Sequence, residues 1–79
     1  METRKSLKLA VQMLRATTAF KLKQIDYLTN LGSKQLTIWS IISSATFHAT
    51  EIIDMFSLVG FNSYVQYDQE KGRCELIIF

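Results

Sequence analysis

The chain has no proline, one cysteine (Cys74), one histidine (His48) and three glycines among its 79 residues. A single thiol closes no internal disulfide, and one cysteine with one histidine offers no spacing for a structural zinc site. The glycines fit neither a Walker loop nor a dinucleotide fingerprint, so no phosphate-cradling motif is present. No uninterrupted apolar run approaches the roughly 20 residues that cross a bilayer, and the first residues lack the apolar stretch and small-residue cleavage site of a secretory signal. With the unpaired thiol, these absences lead us to expect a cytoplasmic protein that uses no membrane. Charge is sparse as well. At 20% charged and 48% hydrophobic the composition is too apolar for a disordered chain, and one folded domain over residues 1–79 is expected. A domain of this size buries only about 60% of the surface of its unfolded chain. Lacking staples, it is expected to gain stability by self-association.

Catalysis finds little support in these residues. Cys74 and His48 could form a nucleophile and base, but no third group orients them and nothing marks an oxyanion hole. Cys74 alternates with Leu76 and Ile78, which predicts a buried structural thiol. His48, between Thr46 and Thr50, reads as a surface or capping residue of a helix start. Trp39, Tyr64 and Tyr67 read as core or interface anchors, because so small an interior rarely encloses a ligand. We therefore expect no enzyme, no cofactor and no metal.

What the chain does have is a charge asymmetry. Residues 1–23 carry Arg4, Lys5, Lys8, Arg15, Lys21 and Lys23 against Glu2, a net +5, whereas residues 24–79 sum to −3. The two halves could attract one another, or the basic segment could meet an anionic partner. From Arg4 to Ala16, Leu7, Ala10, Val11 and Leu14 follow the helical spacing i, i+3, i+4, i+7. On that helix Arg4, Lys5, Lys8, Gln12 and Arg15 gather in one sector roughly 100° wide. Arg4, Lys5, Lys8 and Arg15 are thus the expected partner-binding residues. Leu9, Met13 and Ala16 extend the apolar face past a single stripe, which suits a dimer contact.

Further along, Leu22, Ile25, Leu28 and Leu31 before Gly32 predict a second helix over Phe20–Leu31. Residues 36–43, β-branched, aromatic and serine-rich, predict a strand. Ala49, Ile52, Ile53, Phe56 and Val59 predict a helix over Phe47–Val59, capped by Thr46 or Ser44 and ended by Gly60. The alternation from Phe61 onward, broken at Gln69–Gly72, predicts a β-hairpin. The expected fold is a small two-layer α+β domain in the order α-α-β-α-β-β, with a parallel crossover between the strand at 36–43 and that at 61–67. Ile77 and Phe79 make the last strand apolar on both faces. That strand is then either central in the sheet or paired with another chain, and both residues are candidate dimer contacts.

The stretch Ile52-Ile53-Asp54-Met55-Phe56-Ser57-Leu58-Val59-Gly60-Phe61, followed by a hairpin, resembles the recognition helix and wing of winged-helix DNA-binding domains. The resemblance covers about a third of the chain and implies a preceding helix through Thr37–Ser43. Its recognition helix would carry Glu51 and Asp54 and no Lys or Arg, whereas phosphate contacts dominate DNA affinity. The leading expectation is a non-enzymatic regulatory or inhibitory binding module that docks on a protein partner as a homodimer. A small nucleic-acid-binding regulator, using the basic first helix or the winged-helix-like arrangement, is the alternative.

Overall fold

The computed structural model of the chain describes residues 6–42 and 49–79. It contains α1 (Leu7–Arg15), α2 (Thr18–Lys21), β1 (Ile25–Asn30), β2 (Gln35–Ser40), α3 (Ala49–Leu58), β3 (Ser63–Asp68) and β4 (Arg73–Ile78). The strands form one antiparallel sheet in the order β1-β2-β4-β3. The helices cover one of its faces, giving the expected two-layer α+β domain. Ala10, Leu14, Ala19, Ile52 and Phe56 from the helices meet Ile25, Leu36, Ile38, Leu76 and Ile78 from the sheet.

Helix α1 starts where the Ser6 hydroxyl accepts the Leu9 N–H at 3.1 Å, satisfying one of the orphan donors of a first turn. It stops at Thr17. That buried hydroxyl donates to the Leu14 carbonyl at 2.7 Å and accepts the Phe20 N–H at 3.2 Å, so one side chain closes α1 and caps α2. Both α2 and α3 end in the same six-residue device. The Gln24 N–H reaches the Ala19 carbonyl and the Lys23 N–H that of Phe20; likewise Phe61 reaches Phe56, and Gly60 reaches Ser57. The turning residues are left-handed, Lys23 at φ 57° and Gly60 at φ 90°. In α3 the accompanying apolar contact is a T-shaped Phe56–Phe61 pair with centroids 5.5 Å apart.

One expectation about the elements needs correction. Residues 20–31 do not form a second long helix: α2 has four residues and β1 occupies Ile25–Asn30. The i, i+3 leucines that suggested the helix point outward, Leu22, Leu28 and Leu31 being 59%, 56% and 78% exposed. The alternating set Ile25 and Tyr27 packs inward instead. The parallel relation expected across the third helix is present: α3 joins β2 and β3, which run parallel in one sheet, with β4 between them and antiparallel to both. The two-sided last strand is therefore central in the sheet. β2 also occupies the residues through which a winged-helix domain would need a helix. The expected caps Thr46 and Ser44, and His48, lie outside the described residues.

The sheet carries an internal two-fold relation that the sequence does not announce. Shifting β1 and β2 by 38 residues reproduces the bounds of β3 and β4. The axis passes between Ile38 and Leu76, which face one another in the β2–β4 register. Both hairpins use the same loop. Asn30 Oδ1 accepts the Ser33 N–H and Asp68 Oδ1 the Lys71 N–H, each at 3.1 Å, and the loops end in Lys34 at φ 56° and Gly72 at φ 64°. A helix precedes each hairpin, so the domain is a helix–hairpin unit used twice.

Candidate partner-binding surfaces

Two surfaces stand out. The first is a groove of about 500 Å³ between α1 and β1, lined by Leu7, Lys8, Val11, Gln12, Arg15, Tyr27, Thr29 and Leu31. Its position follows from the amphipathic spacing of α1. Leu14 and Ala10 point into the core, which leaves Leu7 and Val11 half-buried at the seam and Lys8, Gln12 and Arg15 exposed along the rim. From the sheet, Tyr27 supplies an aromatic wall, held by a ring contact with Phe20 at 5.8 Å. The result is an apolar floor with two cations at its edge, suited to an apolar segment that carries negative charge.

The second surface is the face of the sheet away from the helices. At its centre the Arg73 guanidinium lies 3.7 Å from the centroid of the Trp39 ring. Glu75, 3% exposed, accepts from Arg73 Nε at 3.0 Å and from Gln66 Nε2 at 3.2 Å. The cation is thus stacked on one side and paired on the other, which accounts for a buried carboxylate at the centre of this face. Around this network lie Leu28, Tyr64 and Phe79, the last two in an edge-on contact at 5.6 Å. All three are exposed.

Of the expected partner-binding residues, Lys8 and Arg15 stand together on the groove rim, while Arg4 and Lys5 lie outside the described residues. Sequence reasoning missed the opposite wall, Tyr27, Thr29 and Leu31, because those positions were assigned to a helix. Of the expected dimer residues, Met13 packs against the core, Leu9 is half-buried and Ala16 is exposed. Ile77 is 2% exposed within its own sheet and Phe79 is 43% exposed. Cys74, expected to be buried, is exposed. It pairs with Tyr67, itself 61% exposed, toward the hairpin tip where no described helix covers that face. The ion pairs between described residues, Lys71–Asp68 and Arg73–Glu75, lie within the acidic part of the chain.

Among the described residues no three His, Cys, Asp or Glu side chains gather as a metal site, and no helix is long and apolar enough to cross a membrane. No family model, no curated protein and no solved structure matches the chain.

Proposed function

We propose that the protein is a small non-enzymatic binding module that regulates or inhibits a larger macromolecule by docking on it, and that it does so as a homodimer. The observation that carries this reading is the α1–β1 groove, where Lys8 and Arg15 flank a floor made by Leu7, Val11 and Tyr27. Apolar area supplies affinity there, and the two cations select an acidic protein segment and orient it. The apolar floor between these cations favours a protein over the nucleic-acid alternative.

The test is capture from native cells with the wild type and with a Lys8→Gln/Arg15→Gln variant of unchanged melting temperature. A protein retained by the first and lost by the second is the expected result. Equal capture by both would remove the groove from the interface. Recovery of nucleic acid, with affinity falling steeply as salt rises, would transfer the assignment to the nucleic-acid regulator.

A further inference from the structure

The two outer strands, β1 and β3, are equivalent under the internal two-fold, so their free edges can be compared position by position. The Ile41 N–H bonds to the Gln24 carbonyl, which fixes the phase of the β1–β2 ladder. Asp26, Leu28 and Asn30 face β2 with their backbone groups, and Ile25, Tyr27 and Thr29 present theirs outward. By the same reasoning, the reciprocal bonds between Asn62 and Phe79 leave Ser63, Val65 and Tyr67 of β3 facing outward.

The edges are finished differently. On β1 the Asp26 carboxylate bends back to accept the outward N–H of Tyr27 at 2.8 Å, occupying the central donor and placing a negative charge on the edge. The position equivalent to Asp26 in β3 is Tyr64, and that equivalent to Tyr27 is Val65. A phenol at this position has no carboxylate to turn back on the backbone, and the outward Val65 N–H has no partner among the described residues. The run Ser63-Tyr64-Val65-Gln66-Tyr67 has no charge, no proline and no glycine. Val65 and Tyr67 are 62% and 61% exposed.

We propose that β3 is the dimer interface: two copies pair antiparallel through this edge, centred on Val65, to form one eight-stranded sheet. This rests on the homodimer reading above and assigns it a surface. The outward residues are self-complementary about that centre. Val65 meets Val65 of the second copy and Ser63 meets its Tyr67, giving three residue pairs that each exchange two backbone hydrogen bonds. Between them Tyr64 lies beside Gln66, and Asp68 falls opposite Asn62, so no like charges oppose one another. Val65 and Tyr67 are covered in the process. The expected dimer residue Ile77 is already enclosed by its neighbours, and it lies on a central strand with no free edge.

The experiment is sedimentation equilibrium of the wild type, Val65→Lys and Val65→Pro from low to high micromolar concentration, with hydrogen exchange on the wild type. Lysine places like charges on the two-fold axis; proline removes only an outward N–H, which leaves the bonds to β4 in place. The expected result is a wild-type dimer, dissociation constants raised at least about tenfold in both variants, and concentration-dependent protection of the Ser63, Val65 and Tyr67 amides. A wild-type dimer that survives both substitutions, with those amides unprotected, overturns the β3 assignment and leaves the homodimer standing. A monomer at every concentration overturns both. The exchange measurement involves no substitution, so it decides the matter even if a variant fails to fold.

Discussion

Phe56 and Ile53 lie on the same face of α3 in the sequence pattern, yet the fold treats them differently. Phe56 is wholly buried, holds Phe61 edge-on and supplies the carbonyl that ends the helix, whereas Ile53 is only half-buried at the margin of the core. Phe56→Ala is expected to lower the unfolding free energy by about 3–5 kcal/mol and Ile53→Ala by clearly less. Denaturant midpoints of equal size would contradict this ordering. Arg73 offers a second comparison at the same scale. Its removal leaves the Glu75 carboxylate buried with Gln66 alone, so Arg73→Ala is expected to cost about 1–3 kcal/mol. The chain has one tryptophan, stacked under that guanidinium, so its emission in the folded state should shift in the same variant. An unchanged spectrum would mean that the stacking does not persist in solution. Neither network partner was legible in the sequence, because alternation names the face of a residue and not its neighbour across two strands.

Among elements, legibility followed periodicity. The patterns of α1, α3 and the final hairpin each fit one period over enough residues to exclude the other. Residues 20–31 fit two. Leu22, Ile25, Leu28 and Leu31 keep a helical interval, while Ile25 and Tyr27 keep a strand interval, and pairing with β2 decides between them. Lys23, at φ 57°, is where the helix stops, and no glycine marks the place. Thr17, β-branched and so an intrinsically weak helix former, joins two helices through one hydroxyl. Thr17→Ala is expected to destabilise the domain by about 1–2 kcal/mol, and a melting curve unchanged from wild type would contradict its capping role. The matched loops give a paired test. Lys34→Gly relieves a left-handed lysine and should raise stability by about 0.5–1 kcal/mol. Gly72→Ala should lower it by a similar amount, although nothing lies within 4 Å of the added carbon, because the strain is in the backbone.

At the level of the whole molecule, the sequence led to a two-layer α+β domain but not to the neighbours within its sheet. Strand order depends on which edges are left free to meet, and composition does not encode that. The basic flank of α1 was legible because it lies on one helix. The groove it borders was not, because its other wall comes from a strand that the sequence pattern disguised. Under the proposed pairing through β3, the carboxylate of Asp26 sets how far assembly can proceed. A subunit with two open edges behaves as a bifunctional monomer in a condensation polymer, and its chains grow until supply is exhausted. A subunit with one open edge is monofunctional, and growth ends at two. On this view Asp26 is a chain terminator. Asp26→Ala should convert a bounded dimer into growing fibrils that scatter light and bind amyloid dyes. Adding Val65→Pro should restore a functionality of one by blocking the other edge. If Asp26→Ala stays dimeric at high concentration, something other than this carboxylate caps the growth.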